Sequence, residues 1–232
     1  MHLTPLPVKQ SEVPFIDFHT HFASNETDVL SVLNIDLGAG ENWRPELKAC
    51  SVGIHPWNIR KNDIVSQFLR LEDACKQQNV IAIGEAGLDK MQGPPLEFQS
   101  RVFEQQVEMA DFYGKPLIVH CVGAYYELLS VRKKMKPSVP FVVHGYNKNV
   151  QVLADLVNNG CFISMGTSII HPAAPSRKVL AEVPSDRLFL ETDDKNTPIQ
   201  GVYLAAAEIL QIDLDRLKST IHDNYLRISN PN

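Results

Sequence analysis

Two histidines, His19 and His21, stand two positions apart after the apolar run Phe15-Ile16-Asp17-Phe18. On an extended chain, residues i and i+2 share a face, so this pair can grip one cation together. Further along, Glu85 follows Ala82-Ile83-Gly84, His120 follows Ile118-Val119, and His144 follows Val142-Val143. Asp193 ends the stretch Phe189-Leu190-Glu191-Thr192-Asp193. Imidazole suits zinc, manganese, iron and nickel, while carboxylates add charge and can bridge two ions. Four histidines, a bridging glutamate and an aspartate make six ligands, enough for two divalent ions with coordination positions left open. Zinc is the first expectation, with manganese, magnesium, iron or nickel also compatible.

A single histidine after a strand is usually a hydrogen-bonded structural residue. Five ligand-bearing strand ends in one chain are hard to reach by chance, so the set reads as a metal site. Other candidates stand differently. His55, in Gly53-Ile54-His55-Pro56-Trp57, also ends an apolar run and could position substrate or order its loop. Asp17 is expected on the opposite pleat face, orienting a neighbour by a hydrogen bond. Glu191 is expected to point away from the site in a structural role. Asp89 either supports a ligand or starts a helix. His2, His171 and His222 lie outside the pattern and read as surface or structural residues. Cys50, Cys75, Cys121 and Cys161 read as core residues rather than nucleophiles; only Cys121, next to His120, comes near the site.

These side chains need a scaffold that brings strand ends to one place. Short β-branched runs alternate with longer amphipathic segments, the rhythm of βα units and a parallel sheet. Strands are predicted at 13–18, 29–35, 49–54, 80–84, 116–120, 140–144, 160–164 and 187–190. Eight is the number a closed TIM-type (β/α) barrel requires, and such barrels work at the carboxyl ends of their strands. Asn62 and Asp63 can cap a helix running to about Gln78. Pro94 and Pro95 open a long helix that Gly114 ends. Further helices are predicted at 125–135, 150–158, 176–183, 201–210 and 214–225. The stretch between the first two strands is too short for one, so the barrel is expected to lack its first helix.

The chain has 232 residues, in the range of one barrel domain spanning 1–232. Hydrophobic residues make up 44% and charged residues 21%, values of an ordinary globular protein. The net charge of −5 excludes a protein that grips nucleic acid by a basic surface alone. Any phosphate must then be held by a metal or by a local cluster. No Cys-x-x-Cys pair occurs, and scattered free thiols suggest a reducing cytoplasm. The first residues lack a basic start followed by an apolar stretch, so no signal peptide is expected, nor any membrane span.

At these residues the chain resembles the TatD-type metal-dependent hydrolases, a branch of the amidohydrolase-like TIM barrels. The resemblance rests on Asp17-Phe18-His19-Thr20-His21, Val52-Gly53-Ile54-His55-Pro56, Ile83-Gly84-Glu85-Ala86-Gly87-Leu88-Asp89, Val119-His120-Cys121, Val143-His144-Gly145-Tyr146 and Leu190-Glu191-Thr192-Asp193. The closing Ile221-His222-Asp223-Asn224-Tyr225 is similar to the family's last helix. The resemblance implies a metal-dependent phosphodiesterase, usually described as a deoxyribonuclease. It further implies one ion held by His19, His21, Glu85 and Asp193, and a second by Glu85, His120 and His144. The chain departs from the family after His21, after His120, at Gly145-Tyr146-Asn147-Lys148 and at Asp194-Lys195. All four departures touch substrate-facing loops and none removes a ligand.

The expected chemistry is attack by a metal-activated water, with Asp193 as ligand and general base and Glu85 as bridge. Tyr146 and Lys148 are candidate substrate contacts, and Lys148 could stabilise charge developing on phosphoryl oxygens. DNA or a small phosphate ester is the expected substrate, with no membrane and no obligate protein partner. The alternative is an amidohydrolase or lactonase attacking a carbonyl on the same barrel. The lysine that amidohydrolases often carboxylate as a metal bridge is absent, and its strand carries Glu85 instead. A metal-binding scaffold with a decayed site is a third reading, against which the full ligand set argues.

Overall fold

The β-branched and aromatic runs become eight parallel strands, each paired with its sequence neighbours in one sheet of order β1 to β8. The computed structural model describes residues 13–229. The strands are β1 (Phe15–Thr20), β2 (Val29–Asp36), β3 (Cys50–Gly53), β4 (Val80–Asp89), β5 (Leu117–Val122), β6 (Phe141–Val143), β7 (Phe162–Met165) and β8 (Leu188–Leu190). Strands covered on both faces need apolar side chains on both, and β1, β3, β6, β7 and β8 are buried along their whole length.

The sheet closes where β8 returns to β1. Thr20 and Asp193 form a parallel bridge. Asp193 N–H donates to the His19 carbonyl (3.0 Å), and His21 N–H donates to the Asp193 carbonyl (2.9 Å). Asp17 accepts from the amide and the hydroxyl of Thr192 at 2.9 and 2.7 Å. Phe18 stacks on Phe189 across the same seam, with ring centroids 4.0 Å apart. The result is a barrel of the TIM type.

Helices α1 (Ile64–Cys75), α2 (Leu96–Tyr113), α3 (Tyr125–Met135), α4 (Val150–Asn158), α5 (Ser176–Leu180), α6 (Ile199–Leu210) and α7 (Leu214–Ser229) pack around it. Gly114 ends α2 in the left-handed conformation that favours glycine, with φ 63°. From α6, the Tyr203 hydroxyl donates to the Ile16 carbonyl and accepts from the Ile16 amide, fixing β1 from outside. From α7, Asn224 donates to the carbonyls of Ser185 and Leu188 and fixes β8.

Three expectations are corrected. Not one but two helices are missing, since both 21–28 and 37–49 are irregular. In the second stretch Gly38, Gly40 and Pro45 interrupt any helical period, and the Asp36 carboxylate holds a turn by accepting from Gly38 and Ala39 N–H. Asp63 sits at the start of α1 without a capping bond from its side chain. Strand β4 continues to Asp89 instead of stopping at Gly84, pairing Gly87 with His120 and Asp89 with Val122. Among the described residues no helix is long and apolar enough to cross a membrane. His2 lies outside the described residues.

Candidate metal centre

Glu85 stands at the middle of the barrel mouth, on β4, almost fully buried. Its two carboxylate oxygens face two different sets of side chains. Oε2 lies 3.5 Å from His19 Nε2 and 3.8 Å from His21 Nε2. The same two imidazole nitrogens lie 3.5 and 3.7 Å from Asp193 Oδ1. Oε1 lies 2.7 Å from His120 Nδ1, 2.7 Å from His144 Nε2 and 3.2 Å from His55 Nε2. All six residues expected as ligands therefore converge, and His55 joins them.

The first set fits a metal ion by its spacing. A tetrahedral ion with ligand bonds of about 2.1 Å holds its donors about 3.4 Å apart, close to the distances around His19. Those distances are too long for good hydrogen bonds. Both ring nitrogens of His19 are buried without a hydrogen-bond partner, which is costly unless something else satisfies them. Around Oε1 the separations are hydrogen-bond lengths, so there the imidazoles share protons with the carboxylate. The groupings His19–His21–Glu85, His19–His144–Asp193 and His55–Glu85–His120 each gather donors close enough to hold an ion.

The electrostatics point the same way. Burial and the nearby His144 oppose protonation of His19, but the Asp193 and Glu85 carboxylates outweigh them and push it up to about 9. Burial likewise disfavours the charged form of His144, yet Glu85 and Glu191 raise it well above the ordinary histidine value. Burial disfavours ionised Glu85, but the surrounding histidines hold it well below the usual carboxylate range. Asp193 is also lowered, because His19 and His144 overcome its burial. The two carboxylates are thus kept ionised by the imidazoles that face them.

A second layer fixes the donors. His120 turns Nδ1 to Glu85 and Nε2 to Asp89 Oδ2, at 3.2 Å. Asp89 is held in turn by the Trp57 indole N–H at 2.6 Å and by the Met91 and Gln92 amides. His144 turns Nδ1 toward Glu191 Oε1 at 3.6 Å, and that oxygen accepts from Gly145 N–H. His55 Nδ1 accepts from Trp57 N–H, which leaves the proton on Nε2, facing Glu85. Carboxylates behind ligating histidines set tautomer and ring orientation. The expectation that Asp17 orients a neighbour corresponds to its two bonds to Thr192. The register of β1 against β2 shifts between Asp17 and Thr20. Asp17 faces Thr192 there while His19 faces Glu85.

Some of this machinery escapes sequence reasoning. Asn34, between Leu33 and Ile35 in β2, accepts from the Glu85 amide at 2.8 Å and from the Ser51 hydroxyl at 3.2 Å. The only hint was a buried-type strand interrupted by a polar residue. On α2, Gln99 brackets the backbone N–H and C=O of Asp89, and Gln106 does the same for Ile54. Both satisfy strand-end groups that the ladder leaves open. Glu191 is more than structural in placement, since it stands behind His144. Tyr146 is a correction: it is buried, with its hydroxyl donating to the Asn149 carbonyl, so it does not present itself to a substrate. Lys148 is exposed. All four cysteines are buried free thiols. His171 is exposed and His222 half-buried, and neither is among the grouped donors.

Comparison with known proteins agrees with this geometry. A model of the TatD-related DNase family matches residues 39–230. The uncharacterized metal-dependent hydrolase YjjV of Escherichia coli is 32% identical over 169 residues, covering 71% of this chain and 64% of that protein. The chain thus spans just under two thirds of that relative in sequence. The human 3'-5' RNA nuclease TATDN2 is 31% identical over 147 residues, 61% of this chain and 19% of its own length. The crystal structure of YjjV, a TatD homologue, superposes with a TM-score of 0.76 at 25% identity, covering 93% of this chain and 98% of that one. By its sequence match, its barrel and its buried histidine–carboxylate cluster, this chain belongs to the TatD-related DNase family of metal-dependent hydrolases.

Proposed function

We propose that this protein is a divalent-metal-dependent phosphodiesterase that hydrolyses nucleic acid, with DNA as the first expected substrate and zinc as the ion its donors favour. The observation that carries the reading is Glu85, whose two oxygens face two separate histidine groups. In this reading His19, His21, Glu85 and Asp193 hold one ion, and Glu85, His120 and His144 hold a second. A nuclease relative in the same family supports a nucleic-acid substrate.

Bound ions supply a Lewis acid for the phosphoryl group and lower the pKa of an attacking water. The side chains do the rest. Asp193, about one-third exposed and kept ionised, takes the proton of that water at its carboxylate. Asn34 holds Glu85 in place through its amide, and His55 faces the same carboxylate with its Nε2–H. Lys148 lies exposed beyond His144, where it can meet a phosphate. Exposed cations elsewhere at the mouth are engaged, Lys90 with Glu127 and Lys195 with Asp194. Attraction to phosphate therefore falls mainly to the metal centre, and binding of DNA should be salt-sensitive and loose.

The test is an assay of metal-loaded protein on single-stranded DNA, RNA, bis-p-nitrophenyl phosphate and a panel of lactones. Phosphodiester hydrolysis without lactone turnover is the expected pattern. His19→Ala and Glu85→Gln should each lose roughly 100-fold or more in kcat/KM along with bound metal. Full activity and metal content in either variant, or turnover confined to lactones, would refute the proposal.

A further inference from the structure

Trp57 is half-exposed at the barrel mouth, at 46%. It follows His55 and Pro56 in a single turn of 3-10 helix, Pro56–Asn58, beyond β3. Its ring stands edge-on to His55, with centroids 4.8 Å apart, and to His120, at 5.6 Å. Its indole N–H donates to Asp89 and its amide to His55. Contacts with His55, His120 and Asp89 thus set the orientation of the ring. On the other side of the same Asp89 carboxylate, Met91 is held by its amide and leaves its side chain 79% exposed. Anchoring Asp89 requires only the indole N–H. It does not explain why a large apolar face is kept fixed and open beside two histidines of the metal centre.

The protein is acidic, and of the cations near the mouth Lys90 and Lys195 are paired with carboxylates. A polyanionic substrate held by so few positive groups needs contacts through its bases. A rigid aromatic face supplies them, because every nucleobase has a π-face and stacking on an aromatic side chain is insensitive to sequence. A paired base is already stacked within its helix and cannot use such a face. We propose that Trp57 is a specificity-determining residue: its fixed indole is the platform on which an unpaired nucleobase beside the reacting phosphate stacks, so that single strands are favoured over duplex and over base-free phosphodiesters. This rests on the nuclease reading above and names what that site selects.

Trp43 is the only other tryptophan, and it lies away from the site, bonded to Asn79. A Trp43→Phe protein therefore reports on Trp57 alone. Its emission is titrated in metal-loaded protein, using cleavage-resistant phosphorothioate forms of a short oligothymidylate, an abasic oligomer of equal length and a duplex. Saturable quenching by the oligothymidylate alone is expected. In metal-loaded protein, Trp57→Ala should raise KM for the single strand roughly tenfold or more. Trp57→Phe, which keeps a ring but loses the bond to Asp89, should recover most of that KM. Equal quenching by the abasic oligomer would overturn the platform. So would equal losses of kcat in both variants with KM unchanged, which would leave Trp57 as an anchor for Asp89. Base-dependent quenching without hydrolysis of any phosphodiester would instead strike the nuclease reading and leave the platform standing. Hydrolysis without base-dependent quenching would do the reverse.

Discussion

His19 shows why single residues at this site cannot be judged by type alone. It is fully buried, without a hydrogen-bond partner on either ring nitrogen, yet its two nearest carboxylates keep it protonated up to about pH 9. An ion bound there requires the neutral imidazole, so at pH 7.5 binding must expel a proton. Affinity should rise with pH until about 9 and fall as pH drops, by up to about tenfold per unit for each proton displaced. Calorimetric titration of metal into ion-free protein, in two buffers of different ionisation enthalpy, reads this directly. Heats that depend on the buffer are expected, and equal heats would contradict the assignment. The sequence announced the six donors because each follows an apolar strand. It announced Asn34 and the clamping glutamines of α2 only faintly, because their partners are backbone groups 10 to 52 residues away. The reach of Glu191 toward His144 depends on the course of the chain after β8, which local pattern does not specify.

At the scale of elements, the β1–β8 seam and the metal cluster are one construction. The backbone bonds that join Asp193 to His19 and His21 close the barrel and also bring three donors together. Asp193 itself sits in the left-handed region, with φ 53°, which aspartate tolerates better than most residues. Strand β4 explains a sequence error. The predicted strand stops at residue 84, whereas the glycines at 84 and 87 let β4 run on in close approach to β5. At Gly87 a Cβ would lie 1.9 Å from the His120 carbonyl oxygen, and φ is +154°. Gly87→Ala should therefore cost roughly 2–6 kcal/mol, from overpacking and backbone strain together. In a chain of this length that lowers Tm by roughly 5–20 °C. Gly40→Ala, where φ is +94° but nothing lies within 4 Å, should cost distinctly less. Equal melting shifts for the two variants would show that β4 and β5 are not so tightly apposed. The gap after β2 was only half legible: Gly38, Gly40 and Pro45 break any helical period there, but the turn that fills it depends on the Asp36 side chain bonding nearby backbone amides.

Across the whole molecule, the eight-strand rhythm and the carboxyl-end placement of donors were readable together, since barrel physics ties them to each other. The cysteines test that picture independently of the site. Burial pushes the Cys50 and Cys161 thiols up to about 11, and those of Cys75 and Cys121 up to about 12. Neutral thiols are favoured in the fold, so the stability they contribute is complete below pH 9 and is lost as pH climbs through 11 to 12. An aromatic disulfide reagent at pH 8 should titrate no thiol in native protein and four in guanidinium; prompt reaction of any native thiol would show a looser barrel. The central claim, that distant strand ends meet around cations at one rim, is tested most directly by anomalous diffraction from crystals grown with zinc or manganese. The account predicts a peak among His19, His21, Glu85 and Asp193, and a second beside Glu85, His120 and His144. A metal-saturated crystal with no peak at Glu85, or with its ions elsewhere on the surface, would contradict it.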